Sequence, residues 1–280
     1  MVQFGKNHAL GETELTGSRS RFVASAIFGL MWAVVFALPA GAGMLDATVT
    51  RPLDNVVSGL KQVNEKLTGS WEFAMYEQDR KAGSFRLRIS ADKEGGKPAY
   101  RVEITTDYTA ARGERQVVDI RGTMTPDLQL VAGTRVEQRF AADGSEASKE
   151  TADLSVDGKS LRVRITSGSD TSDVRMDRPE RLYFGMATLF AAARLIDLTN
   201  TDISYSFTTL SSETLRVQRL MMRVVRRAMR MEDKGLVTLM VADSAWSSAP
   251  LLEFTLDAAG NVVRFGPPGG GVVFRKVTEK

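Results

Sequence analysis

The spacing of apolar residues changes character three times along the chain. From Phe22 to Leu45 there is no charged residue, and FVASAIFGLMWAVVFAL runs without a polar face into Pro39-Ala40-Gly41-Ala42. A helix that is apolar all round is a buried or membrane element, not an amphipathic one. Arg19 and Arg21 stand just before the run. A positive flank, an apolar stretch and a small-residue site together predict a secretory signal peptide, cut after Ala40-Gly41-Ala42 with Ala40 and Ala42 as the recognised small residues. The alternative is an uncleaved membrane anchor, because Phe22–Leu38 is near the lower limit for spanning a bilayer. In both cases positive residues ahead of the segment keep the N-terminus cytoplasmic, so the body is expected outside, in the periplasm or cell envelope. Membrane contact is expected only through this segment.

Next, Leu53, Val56, Val57, Leu60, Val63 and Leu67 recur at helical spacing until Gly69. This predicts a short amphipathic helix that packs one face on the main domain. The expected organisation is therefore 1–42 as signal peptide or anchor, 43–69 as helix and linker, and 70–280 as a single domain.

From Trp71 onward the period is two. Phe85, Leu87 and Ile89 alternate with arginines, and Tyr100-Val102-Ile104, Leu161-Val163-Ile165, Ile203-Tyr205-Phe207 and Leu252-Phe254-Leu256 repeat the pattern. Strict alternation marks strands with one dry and one wet face, the habit of antiparallel sheets. Turn residues fall between them at Gly95-Gly96, Asp143-Gly144, Asp157-Gly158 and Asp257 to Asn261. The fold expected is mainly β: a curved antiparallel sheet, an open or half barrel, packed on one or two helices.

Two stretches break the rhythm. After Pro179, Leu182, Met186, Leu189, Phe190, Ala193 and Ile196 share one helical face, and Leu182–Ala193 is almost wholly apolar. This helix is expected to lie buried in the hollow of the sheet. Leu182, Met186, Leu189, Phe190 and Ala193 are the candidate contacts for a hydrophobic ligand there. The second stretch, Leu215–Met231, supports two readings. As a helix, Arg216, Arg219, Arg223, Arg226, Arg227 and Arg230 share about 100° of a helical wheel. As a strand, Val224–Met231 forms a hairpin with Leu236–Val241 across Asp233-Lys234-Gly235.

Composition narrows the chemistry. The 280 residues are 43% hydrophobic and 25% charged, enough for a proper core, and the formal net charge is +3. Nothing in that balance suggests a nucleic-acid surface. There is no cysteine, and the only histidine, His8, precedes the apolar segment. An exported body without His or Cys cannot perform Ser-His-Asp or Cys-His catalysis, and it offers no His or Cys ligand to a metal. Carboxylates such as Glu72, Glu77, Asp79, Asp119 and Asp153 are plentiful, but no spacing brings any two together. Gly266-Pro267-Pro268-Gly269-Gly270-Gly271 lacks the following Lys and Ser or Thr of a phosphate loop and is read as a hairpin loop. No catalytic residue, metal or cofactor is expected.

Several features resemble a group of exported bacterial β-sheet domains of unknown function, whose architecture recurs in the periplasmic lipoprotein carriers. They are Gly69-Ser70-Trp71 ahead of a first strand, Lys81-Ala82-Gly83-Ser84 before an Arg-flanked strand and the apolar Leu182–Ile196. The Leu256-Asp257-Ala258-Ala259-Gly260-Asn261 hairpin and the closing Phe274-Arg275-Lys276-Val277-Thr278-Glu279 complete the set. The resemblance covers roughly residues 69–280. It implies a strongly curved sheet holding helix in its hollow and favours the strand reading of Leu215–Met231. It brings no catalytic residues, and it extends to an acyl chain or other lipid as the hydrophobic ligand. Two functions are therefore expected to compete: a binding module holding such a ligand between sheet and helix, or a structural or interaction component with a solid core and an envelope protein as partner.

Overall fold

The computed structural model describes residues 49–211, 215–225, 235–243 and 250–277. The apolar segment, Ala40, Ala42 and His8 lie outside the described residues, as do Arg226, Arg227 and Arg230.

The alternating segments form one sheet of sixteen strands. In chain order they are β1 (Val49–Pro52), β2 (Gly69–Glu77), β3 (Arg80–Glu94), β4 (Lys97–Thr109), β5 (Arg115–Met124), β6 (Leu130–Phe140), β7 (Glu146–Asp157) and β8 (Ser160–Ser167). There follow β9 (Asp170–Asp177), β10 (Tyr183–Phe184), β11 (Ile203–Leu210), β12 (Val217–Val225), β13 (Val237–Asp243), β14 (Pro250–Leu256), β15 (Val262–Gly266) and β16 (Val272–Lys276). The spatial order is β1-β11-β12-β13-β14-β15-β16-β2-β3-β4-β5-β6-β7-β8-β9, with β10 alongside β11. All neighbours are antiparallel except β1 and β10, which both run parallel to β11. Hairpin connections make most of the ladder, as the turn residues anticipate. β12 settles the arginine-rich stretch as strand as far as Val225, paired with β11 and β13.

The sheet is open, with β1 and β9 at its ends, yet it is drawn together by β10. Tyr183 and Phe184 pair with Thr209 and Leu210 on one side. On the other, Tyr183 bridges Gln129, and the Leu130 amide donates to the Leu182 carbonyl at 2.8 Å. Two strands far apart in the ladder, β11 and β6, therefore share β10 as a seam. Packing sets where the seam lies. Gly122 and Gly133 are cross-strand partners, and a Cβ at Gly122 would come within 2.4 Å of Phe184 Cε1. The missing side chains make a flat seat for that ring.

The structure corrects two helix expectations. Helix α1 is only Asp54–Val57, followed by a 3₁₀ turn at Glu65–Leu67. Ser58-Gly59 stops it, since glycine in a helix costs about 1 kcal/mol relative to alanine. Leu53, Val57 and Leu67 are nonetheless fully buried, so this segment packs into the domain. Helix α2 is Gly185–Ala192, shorter than the apolar run that predicts it. Leu182 to Phe184 are extended instead, because their backbone groups are claimed by Leu130, Thr209 and Leu210.

Candidate functional site

Helix α2 is buried against the sheet, and Phe190 is its centre. The ring is 1% exposed. It meets Trp71 and Phe73 of β2 at 5.7 and 5.8 Å between centroids, Phe85 of β3 at 6.1 Å, Phe254 of β14 at 5.8 Å and Phe265 of β15 at 5.7 Å. Phe274 of β16 stacks on Phe265 at 4.3 Å, extending the cluster across the sheet. Edge-to-face and offset contacts dominate, the arrangement favoured by ring quadrupoles.

The C-terminal end of α2 is fixed by polar contacts. Arg194 lies over the Trp71 ring at 4.7 Å, donates to the Lys66 carbonyl at 2.7 Å and the Thr68 carbonyl at 3.1 Å, and also donates to the Asn261 side chain. Burial holds its pKa below the ordinary arginine value, with Asp257 acting in the opposite sense. Gly260, at φ +77°, lets the β14–β15 turn close on the helix: a Cβ there would sit 2.4 Å from the Ala193 carbonyl oxygen.

The five candidate ligand contacts therefore separate. Leu182 is fully buried at the seam, Phe190 is the heart of the ring cluster, and Ala193 is packed beneath Gly260. Met186 and Leu189 border a cleft with Gly185, Leu220, Val241, Leu251 and Leu252. The cleft is apolar and holds ≈ 60 Å³. Ligand pockets for small molecules run to roughly 300–1,000 Å³. A more open groove of ≈ 350 Å³ lies on the surface between Lys61, Glu94, Lys97, Pro98, Thr125 and Pro126. Nothing in that mixture of charge and proline specifies one ligand.

Two polar clusters escape a reading of the sequence. At the seam, the Tyr183 hydroxyl donates to Asp54, and Arg181 spans Asp54 at 3.3 Å and Asp127 at 2.6 Å. Gln129 donates to Asp127 at 2.7 Å, and the Thr125 hydroxyl donates to it at 2.5 Å. Burial acts to raise the Asp127 pKa, but the hydrogen bonds from Thr125, Gln129 and Arg181 outweigh it and hold the carboxyl below its usual value. Burial pushes the Tyr183 phenol strongly upward, and the Asp54 carboxylate adds to that, so it stays protonated. These contacts tie α1, the β5–β6 turn and the approach to β10 into one knot. They are far apart in the chain, so no local spacing announces them.

The second cluster lies on the inward side of β6. Arg135 and Glu137, both 4% exposed, are cross-strand partners of Ile120 and Val118. Arg135 pairs with Glu137 and with Glu150 at 2.8 Å; Glu137 also accepts from Gln116 at 2.6 Å and from Arg139 at 2.7 Å. Alternation alone would point Val136 inward and the charges out. Register with β5 reverses that, because Ile120 and Val118 claim the dry face. The cluster is neutral, with two arginines and two glutamates, and donors already surround Glu137. It is suited to holding β5, β6 and β7 in register.

The carboxylates weighed for chemistry do not gather. Glu72 faces Arg86 at 3.4 Å, Glu77 faces Arg80 at 3.0 Å and Asp79 faces Arg275 at 3.4 Å. Asp119 accepts from Thr105 at 2.7 Å, and Asp153 from Thr134 at 3.1 Å. Each meets a different partner. Among the described residues no group of three or more His, Cys, Asp or Glu is placed to hold a metal ion.

Comparison with known proteins adds little to this geometry. No family model matches the chain, and no curated protein does. Among solved structures, the chain is similar to a beta-barrel-like protein of a domain of unknown function, DUF1849, from Brucella abortus. The two share 13% sequence identity over 75% of this chain and 95% of that one, with a TM-score of 0.45.

Proposed function

We propose that this protein is a non-catalytic component of the cell envelope that works through its outer surface and sheet edges, around an interior that is solid. The observation that carries this reading is the Phe190 cluster: the hollow where a ligand would sit is filled by the protein's own aromatic rings. The residual cleft of ≈ 60 Å³ is a fraction of what a small-molecule site needs. Export through residues 22–38 and a body free of His and Cys agree with a role that needs no chemistry. Crosslinking in intact cells tests it. The expected result is a discrete crosslinked species containing this chain and a protein partner, a second copy included. Recovery of monomer alone counts against it.

A second reading keeps one specific observation in its favour. Met186 and Leu189, with Leu251 and Leu252, give the cleft an apolar lining at the helix–sheet boundary. A lipoprotein-carrier-like role would use that boundary, with α2 moving aside to admit an acyl chain. Saturable binding of a fluorescent fatty acid by the wild-type protein, lost on Leu189→Gln, would favour it.

A further inference from the structure

Strand β9 ends the sheet, and its residues are exposed except for Val174 and Met176, which are half-buried. Such an edge is a template for another strand. Among the described residues no strand pairs with its outer side, and its outward backbone groups can be assigned. The Arg178 amide donates to the Lys159 carbonyl at 2.8 Å, so Arg178 points its backbone toward β8. By antiparallel alternation, Ser172, Val174 and Met176 do the same, and Thr171, Asp173, Arg175 and Asp177 point theirs outward.

We infer that this edge pairs with β9 of a second copy, antiparallel about a two-fold axis through Val174. Outward residues must meet outward residues, so the axis passes through a single residue, and the overlap of the two strands is longest, seven residue pairs, for centres at 173 and 174. Centring on residue 173 sets Asp173 against its own copy. Centring on 175 sets Arg175 against its own copy and Asp173 opposite Asp177. Centring on 174 places Asp173 opposite Arg175 twice, once on each side of the axis, with Thr171 opposite Asp177. Of these three only the last is free of like-charge pairs, which are destabilising when directly opposite, and it keeps the long overlap that centres nearer the strand ends lose.

The ladder within one chain supplies the other half of the match. Arg175 lies directly across from Arg162, a like-charge pair, while Asp173 is held by Arg162 at 2.9 Å and lies near Arg164 at 3.5 Å. An Asp173 from the second copy gives Arg175 an acidic neighbour on its open side. On the other face Val174 meets Val174, and Met176 meets Ser172. This continues the apolar row formed by Leu161, Val163 and their β9 partners. The inference names one partner for the interaction reading above and rests on it.

The absence of cysteine makes the test direct. In this register Val174 and its copy form a non-hydrogen-bonded pair, with Cα atoms about 4.5 Å apart, inside the range a disulfide accepts. Under mild oxidation Val174→Cys is expected to give a disulfide-linked dimer. Ser172→Cys or Met176→Cys alone is expected to form no intersubunit disulfide, yet the two mixed are expected to give a disulfide-linked heterodimer. Sedimentation velocity of the wild type should show a dimer that Arg175→Asp weakens by about tenfold or more, and that Asp173→Arg with Arg175→Asp restores. Circular dichroism confirms that each variant is folded. A monomer at every concentration, or a Val174→Cys protein that oxidises no more readily than Ser172→Cys, overturns the proposal. So does a dimer indifferent to Arg175→Asp. If cellular crosslinking still recovers a different protein, self-pairing falls and the interaction reading stands.

Discussion

Replacing Phe190 by alanine removes the ring at the centre of the aromatic cluster on which the proposed solid interior rests. Phe190 is 1% exposed and lies within 6.1 Å of five other rings, drawn from β2, β3, β14 and β15. Truncating a buried phenylalanine costs about 3–5 kcal/mol through lost transfer energy and the cavity left behind. The upper end applies here, because aromatic pairs add about 0.5–1.5 kcal/mol each beyond area burial and strands paired on both sides cannot collapse into the gap. For a domain of this size a loss of about 4 kcal/mol lowers Tm by roughly 8–16 °C. Urea denaturation followed by circular dichroism measures it, with the midpoint falling and the slope unchanged. An apolar void of this kind stays dry and takes up benzene or xenon, so the variant should bind such probes where the wild type does not. A loss below about 1 kcal/mol, the range of tolerated core swaps, would show that Phe190 does not fill the hollow and would refute the reasoning.

Three further outcomes follow from the packing. Gly260→Ala drives a methyl group into the Ala193 carbonyl and forces a residue with φ +77° to carry a Cβ. A loss of about 1–3 kcal/mol is expected by thermal melting. Glu137→Ala leaves Arg135 buried without its nearest carboxylate and should cost about 3–5 kcal/mol in urea midpoint analysis. The Asp127 carboxyl titrates below its ordinary 3.8 in the folded protein. Its contribution is therefore complete above the unfolded value and is lost as pH falls through the lower folded one. Asp127→Asn should be less stable than wild type at neutral pH, with the difference shrinking below about pH 4, as an acid series of urea midpoints would show.

The strands with one dry face were legible because their sequence carries the period of the pleat. Arg86 and Arg88 stand exposed between the buried Phe85, Leu87 and Ile89, and Arg162 and Arg164 flank the buried Val163. Other elements lack that signature for physical reasons. β9, Asp-Thr-Ser-Asp-Val-Arg-Met-Asp, has water on most sides and so needs no apolar alternation. β10 is two residues long and is made a strand by Gln129, Thr209 and Leu210, partners that no local window contains. The apolar run from Leu182 correctly predicts a buried helix, but it is the same whether its side chains line a cavity or fill one. That difference is decided by Trp71, Phe73, Phe85, Phe254 and Phe265 converging on one point. In the sequence these rings are separate members of alternating strands, so their convergence on Phe190 becomes visible only in three dimensions.

Native mass spectrometry of the protein, released gently from the envelope that made it, weighs the interior's contents directly. A solid core gives the mass of the polypeptide, or of two copies, with nothing added. A population carrying acyl or other lipid mass that survives desolvation and is lost only on unfolding would contradict the account.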